Sequence, residues 1–483
     1  MEDSKKHLYL KFKMSKELGI MENMIVSESR PTVDEWKGTR SEGKEPDREE
    51  KEEKPDLFQK VGRDFESSIN TFQRTVPFMM HTMPFMRRIH DDFNIRKFAA
   101  KEGELLDKGE FELYQVSFDH MASIMRKMEE SSAIGSGINN VPGLFLTGLV
   151  SAYDMFLSQL IRCIFVTRPE LLSSSERNIS FKDLTEIGSV EAARERIIEK
   201  EVESVIRDSH AQQIDWLERK LNDMPLRKDL AIWPEFIEIC ERRNLLSHTN
   251  GVISSQYLAV CKEHKVDITG LSVGDRVKVT GKYYERAVSV ILEFGTKLAQ
   301  VIWRKLLPAQ IGLADQELNE LSYRLITKRR YGEASKLLRF GLYEMKKHGE
   351  DATKKSMVVN LANAVKLGGN KTQAEQILTD EDWSAATDKY KVCVAAVRDD
   401  VQTVVLLMKP VVAAGYLRVS DFQDWPVFEV VRSDPVFIET FEREFGQKIV
   451  ADQETPPPLK VEAGAQEDGD AVSQPTPEGN TVH

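Results

Sequence analysis

The chain has 483 residues, enough to bury a core without disulfide or metal staples, and at ~150 residues per domain it suggests about three units. Hydrophobic residues make up 41%, charged residues 30% and aromatic residues 8%, a balance that suits a helix-rich chain and excludes a low-complexity one. The net charge of −11 excludes coating of nucleic acid by bulk positive charge, so a nucleic-acid role needs a local site.

Residues 1–28 are mixed and weakly apolar, and no apolar signal core is visible there. Residues 29–56, with the run EPDREEKEEKP, read as a charged disordered linker. From Gln115, QVSFDHMASIMRKMEES has apolar residues at three- and four-residue steps and predicts a helix. Asn139-Asn140 and Pro142-Gly143 are expected to end it. The stretch from Gly143 to Val166 is apolar enough to resemble a membrane span, but it carries Asp154, Gln159 and Arg162. Asp or Arg would each cost about 2.5–3.5 kcal/mol at the bilayer centre. A buried core helix ended by Pro169 is therefore expected, with no membrane partner.

Ser189 is expected to cap one long charged helix that runs to Asp223-Met224-Pro225. Pro234 suits the first turn of PEFIEICERRNLLSHT, and Asn250-Gly251 is its stop. SSQYLAVCKEH is a short helix, and GLSVGDRVKV a loop or short strand. YYERAVSVILEFGTKLAQVIWRKLL is a strongly amphipathic helix, ended by Pro308. Beyond it, Leu318, Leu321, Ser322, Leu325, Ala334, Leu338 and Gly341 fall on the spacing of a tetratricopeptide helix pair. Val358, Leu361, Ala362, Val365, Ala374 and Leu378 repeat that spacing; Val392, Ala395, Val404 and Met408 do so more poorly. DWPVFEVVRSDPVFIETFEREFG would cap the last apolar face. An acidic disordered tail, rich in Pro, Gly and Glu, closes the chain. The expected organisation is all-α: a mostly disordered leader and charged linker at 1–56, a helical domain at 57–312, helical repeats at 313–446 and a disordered acidic tail at 447–483.

Four scattered cysteines, Cys163, Cys240, Cys261 and Cys393, form no C-x-x-C pair and suggest a reducing, cytoplasmic setting. Cys261 and His264 have a ligand spacing but no further partners, so no metal and no cofactor is expected. P-loop, Rossmann-glycine, H-E-x-x-H and G-x-S-x-G patterns are absent from the sequence.

One constellation can carry chemistry: Glu241 to Gly251, ERRNLLSHTNG. At ~100° per residue, Ile232, Trp233, Ile239, Cys240 and Leu246 share a buried face centred on Phe236. Arg243 and Ser247 fall ~20° to either side of that centre. A guanidinium there needs a partner, a cleft or a subunit contact. Asn244 and His248 are an i, i+4 pair on the flank. His248 falls in the last turn, where the helix dipole favours a cation. A histidine beside a fixed cation is an acid/base set suited to phosphodiester chemistry. The same residues also suit a structural polar network, because Arg-x4-His alone is a common pattern. Asp154 and Arg162 would either support this site or form a core pair. Lys328-Arg329-Arg330 and Lys346-Lys347 would either touch RNA phosphates or be solvated helix ends.

RNLLSH, from Arg243 to His248, resembles the signature of the HEPN superfamily (higher eukaryotes and prokaryotes nucleotide-binding domain): Arg, a polar residue, three residues, then His. The runs ERRNLLSHTNGVISSQYL, GLFLTGLVSAYDMFLSQLIRCIF and DWPVFEVVRSDPVF resemble a bacterial HEPN-like group with tetratricopeptide-like helices behind the domain. The likeness spans about residues 57–446. It implies a HEPN-like helical bundle that dimerises, so that two motif helices build one composite site, and an endoribonuclease that needs no metal. It implies His248 as base or acid at the ribose 2′-OH, Arg243 as stabiliser of the phosphorane, and Asn244 as a group orienting His248 or substrate. The products would be a 2′,3′-cyclic phosphate and a 5′-OH. The implied partners are RNA, a second copy of the chain, and a protein held by the C-terminal helical repeats. Toxin activity or anti-phage defence is the setting such domains often occupy. The rival expectation is a catalytically silent scaffold for protein–protein interaction.

Overall fold

The computed structural model describes residues 56–108, 112–174, 180, 184 and 186–449, together with the backbone of residues 9–14 and 21–27. The chain divides into two compact units, Met1–Pro55 and Asp56–His483. In the first, β1 (Tyr9–Met14) and β2 (Met21–Ser27) pair antiparallel, with Leu10 opposite Val26 and Phe12 opposite Met24. The sequence reading assigned no element there. The overlooked signal is the period-two alternation Leu10, Lys11, Phe12, Lys13, Met14. The charged linker and the acidic tail from residue 450 lie outside the described residues.

Among its described residues, the second unit is all-α apart from one hairpin. Asp56 caps α1 (Leu57–Asp91), its carboxylate accepting from the Phe58 amide at 2.9 Å. A π turn (Asp92–Arg96) carries α1 into the short α2 (Lys97–Glu102). β3 (Gly103–Lys108) and β4 (Glu112–Val116) then form an antiparallel hairpin. Gln115 therefore lies in a strand and does not open the next helix. That helix, α3, runs unbroken from Met121 to Thr167 over 47 residues, with Pro142 inside it. The expected stop at Asn139–Gly143 is not there. A proline inside a helix costs ~3 kcal/mol. Burial of Leu146, Leu149, Val150, Tyr153, Phe156 and Leu157 offsets this, at about 1.5–3 kcal/mol for each large apolar side chain. Among the described residues, Phe118–Thr167 is the one stretch long and apolar enough to cross a membrane by length and composition. Its apolar half is the centre of the interior: α3 packs on α1 and on the helices that follow.

Ser189 caps α4 (Val190–Arg207) as expected, accepting from the Ala192 amide at 3.1 Å. The charged segment is nevertheless two helices. Ser209 starts α5 (His210–Lys220) with a capping box: its amide donates to Gln212 Oε1 at 3.1 Å, and its hydroxyl accepts from the Gln212 amide at 3.4 Å. Next come α6 (Trp233–His248), with Pro234 in its first turn, then α7 (Ser255–Glu263) and α8 (Gly281–Leu306). GLSVGDRVKV is a loop with a single bridge, Val252 to Arg276. Aromatic rings weld these helices together. Phe65 stacks on Phe156 at 4.2 Å, Tyr153 meets Phe236 edge-on at 5.0 Å, and Phe236 stacks on Phe294 at 3.9 Å.

Three helical hairpins follow: α9 (Ile311–Thr327) with α10 (Tyr331–Arg339), α11 (Asp351–Leu367) with α12 (Lys371–Thr379), and α13 (Asp388–Val397) with α14 (Val401–Ala413). The small and apolar positions picked out by their spacing are buried in all three pairs. After α15 (Val419–Asp424), α16 (Pro435–Phe445) closes the array with Phe422, Phe428, Phe437 and Phe441 buried. No break in packing separates the hairpins from the bundle. One hydrophobic cluster runs from Phe58 to Phe441. Polar rungs join α1 to α9 and α10: Gln59 to Glu317 at 2.9 Å, Arg324 to Glu66 at 2.7 Å, and Arg330 to Gln73 at 2.6 Å. The buried pair Arg304–Asp315, at 2.7 Å, ties α8 to α9.

Replacing the capping serine tests the break between α4 and α5. Ser209→Ala is expected to lower unfolding stability by ~1 kcal/mol, read from the denaturant midpoint at unchanged slope.

Candidate functional site

The motif helix α6 is held from two sides. On one, Glu238 accepts from Tyr257 Oη at 2.8 Å, Tyr283 Oη at 2.6 Å and Arg242 Nε at 2.7 Å. The Arg242 guanidinium lies 4.0 Å over the Tyr283 ring and donates to the Lys278 carbonyl at 2.7 Å. Burial, followed by the charge of Glu238, pushes the Tyr283 hydroxyl well up, so it stays a donor. Arg242 is thus committed to the framework.

Its neighbour Arg243 faces the other way. Its Nη2 donates to Asp154 Oδ2 at 3.2 Å. Asp154 comes from α3, and its second oxygen accepts from His210 Nε2 at 3.0 Å. One carboxylate therefore holds one cation from α6 and one imidazole from α5. His210 is buried against the rings of Tyr153 and Phe236. Arg243 Nε is buried and has no hydrogen-bond partner among the described residues.

These groups line a cleft of about 450 Å³ that also reaches Glu241, Asn244, His248 and Thr249. Arg243, Asn244 and His248, the three residues singled out by the motif, are brought to the same cleft. Their arrangement differs in two respects from expectation. Asn244 donates to Glu241, at 3.4 Å, and makes no bond to His248. Ser247, placed by the helical wheel on the buried face, is exposed, and Leu246 is half-buried. The last turn of α6 has run past the core, where Leu246 packs over Gly143 of α3. A Cβ added to Gly143 would lie 3.3 Å from Leu246 Cδ2. Thr249, Asn250 and Gly251 then turn the chain. Thr249 Oγ1 donates to the Leu245 and Val252 carbonyls at 2.9 and 2.8 Å, and Asn250 and Gly251 take φ of 52° and 79°. His248 is left exposed at the mouth, with no side-chain hydrogen bond among the described residues.

The chemistry available is that of a fixed guanidinium, an accessible imidazole and a carboxyl group, Glu241, whose proton affinity is raised by burial against the opposing pull of His210. Burial also pushes the Cys240 thiol well up, so it supplies no thiolate nucleophile. His264 is used by Trp233, whose Nε1 donates to it at 3.2 Å, and burial holds the Cys261 thiol up at about 11.

Asp154, one of two residues on α3 considered as supports, does support the site. Arg162 does not: it pairs with Glu195 and Glu199. The basic run is spoken for as well. Lys328 pairs with Glu66, Arg329 with Glu429 and Arg330 with Glu333. His210 was missed, and Glu241, at the head of the ERRNLLSHTNG run, had been given no role of its own. His210 follows the capping Ser209 and meets Asp154 across 56 positions, a contact no local pattern announces.

No family model, no curated protein and no solved structure matches the chain.

Two substitutions test this geometry. Asp154→Asn removes the charge that compensates Arg243, and is expected to cost about 1–3 kcal/mol of unfolding stability, read by urea titration. For Glu241, the folded state favours the protonated acid, so its contribution is fully present below the carboxylate's ordinary range and lost as pH rises through the raised value. Glu241→Gln should therefore raise Tm relative to wild type near neutral pH, with the gain vanishing in acid.

Proposed function

We propose that the protein is a metal-independent endoribonuclease of HEPN type, acting as a dimer through Arg243 and His248. The observation that carries this reading is the pairing in one cleft of an Arg243 guanidinium oriented by Asp154 with an unencumbered His248 imidazole. His248 takes the proton from a ribose 2′-OH, and the freed oxygen attacks the adjacent phosphorus. Arg243 neutralises the phosphorane oxygens. The bond to the 5′-oxygen breaks, and that oxygen leaves with a proton. One chain supplies one such imidazole at the cleft mouth, whereas the displacement uses both a base and an acid. The second would come from His248 of another copy, by two-fold symmetry. Support for that contact lies beside the motif: Leu144, next to the Gly143 that seats Leu246, is exposed.

We read the C-terminal hairpins as degenerate tetratricopeptide-like repeats that hold a protein partner. The buried repeat positions support this reading. Four buried, unbridged cysteines support a reducing, cytoplasmic setting. Toxin activity or anti-phage defence enters by analogy with the resembling family.

A silent scaffold is the second reading. It is favoured by the Asn244–Glu241 bond and by the share of Arg243 that Asp154 already occupies.

The deciding experiment incubates the purified protein with total RNA and tRNA in EDTA, beside His248→Ala and Arg243→Ala, and maps product ends for cyclic phosphate. Cleavage is expected in wild type and should fall by about a hundredfold or more in either variant. His248 is exposed, so His248→Ala should melt as wild type does. Cutting at the wild-type rate by His248→Ala defeats the mechanism. No cutting by any of the proteins, with an intact dimer, favours the scaffold.

A further inference from the structure

Beyond Val76, α1 buries none of its described residues. The helix nevertheless continues to Asp91, through Pro77 and Pro84. Each proline removes a backbone hydrogen bond and crowds the carbonyl four residues back. On α3, the burial that follows Pro142 offsets such a loss. This end of α1 has no burial of that kind among the described residues. Its large apolar side chains face solvent instead: Phe78, Phe85, Met86 and Phe93 are each 60–61% exposed, and Ile89 38%. Phe78, Thr82, Phe85, Met86 and Ile89 fall within an arc of ~100° on the helix, and Phe93 extends the stripe into the π turn. The opposite side of α1 is the one that meets α3. Arg87, ~180° from Phe78, lies so close over Gly135 that a Cβ there would strike its guanidinium. The seam between the two helices is already filled, and the stripe is left over.

The charges say what can cover it. From Thr75 to Met86 the chain carries no Asp, Glu, Lys or Arg, although these make up 30% of its residues. A charged partner surface would find nothing here to pair with. Lipid fits poorly as well. Arg87, Arg88, Asp91 and Asp92 follow with both signs, where a helix lying on a membrane is rich in Lys and Arg. The fitting occupant is an uncharged apolar helix of the same length, and the chain itself carries one. The five exposed side chains offer roughly 500 Å². Two such stripes face to face remove roughly 1,000 Å² from water before their rims are counted, the size at which a specific interface begins.

We propose that the stripe on α1 is the contact between two copies of the chain, packed antiparallel about a two-fold axis beside Phe85. In that register Phe78 faces Phe93 of the partner subunit, Thr82 faces Ile89 of the partner subunit, and Phe85 faces Met86 of the partner subunit. Each contact recurs with the copies exchanged, as a two-fold axis requires. The steps from Phe78 to Thr82, Phe85 and Ile89 alternate four and three residues, the spacing of a coiled-coil seam. Burial between the copies then replaces what the two prolines take away, so association orders this end of α1. The inference deepens the dimer proposed above and rests on that reading for the number of copies. The stripe, its area and its missing charges come from α1 alone.

The test is sedimentation of the full-length protein across the micromolar range. Wild type should run as a dimer in equilibrium with monomer. Phe85→Glu should weaken the dimer at least about a hundredfold, whereas Val190→Glu, at an exposed position on α4, should leave it unchanged. A second measurement does not depend on disruption. Under mild oxidation Phe85→Cys should cross-link two copies and Val190→Cys should not; the four native cysteines are buried and do not compete. A wild type that stays monomeric overturns the proposal, as does a dimer that Phe85→Glu leaves intact or that Phe85→Cys fails to cross-link. Flotation of the monomer with neutral phosphatidylcholine vesicles, lost in Phe85→Glu, overturns it in favour of lipid. Neither readout uses RNA. A dimer held at Phe85 that cuts no RNA defeats the ribonuclease reading alone, and a ribonuclease whose dimer ignores Phe85→Glu defeats this one alone.

Discussion

A single carboxylate, Asp154, is the joint on which the site turns. It lies on α3, the most apolar helix of the bundle, and takes hold of Arg243 and His210 from two other helices. Both members of the Asp154–Arg243 pair keep 21% of their side chains exposed, so water screens the attraction. The pair matters more for geometry than for net stability. It fixes where a guanidinium points at a cleft that solvent can enter. Remove it, and a cation is left on the apolar side of α6 with nothing to aim it.

Two adjacent arginines show how far context decides role. Arg242 and Arg243 share a charge and a helix. Arg242 is spent on Glu238, the Tyr283 ring and a carbonyl. Arg243 is held by one contact and keeps a buried Nε unbonded. A charge count of ERR cannot separate them. The 100° step between neighbours on a helix does, because it turns one toward α8 and the other toward α3.

What was legible in the sequence follows the same division between local and distant causes. Ser189, Pro234, Asn250-Gly251 and Pro308 mark helix ends through backbone chemistry that acts within a few residues, and each appears at the end it announces. The amphipathic spacing of α8 and of the C-terminal hairpins was legible for the same reason. Pro142 misled, because the burial that overrides it comes from α1 and α8, far along the chain. The start of α5 was missed although Ser209 and Gln212 form a readable capping box. The charged periodicity on either side masked it. At the site, Arg243 and His248 could be named from spacing, but His210 could not. Its place is set by a carboxylate on another helix.

The rungs between α1 and the first C-terminal hairpin bear on how such a chain can change. Glu66, Gln73, Glu317, Arg324 and Arg330 bind one half of the molecule to the other, and the Arg304–Asp315 pair sits fully inside the seam. The hairpins are therefore not an interchangeable cassette. Exchanging them for another array would strand Glu66 on α1 and Arg304 in a dry interior, so a new array would have to bring matching charges at the same heights. A crossover at residue 312 would therefore have to carry both sides of each pair, whereas substitution along the outer faces of the hairpins meets no such demand.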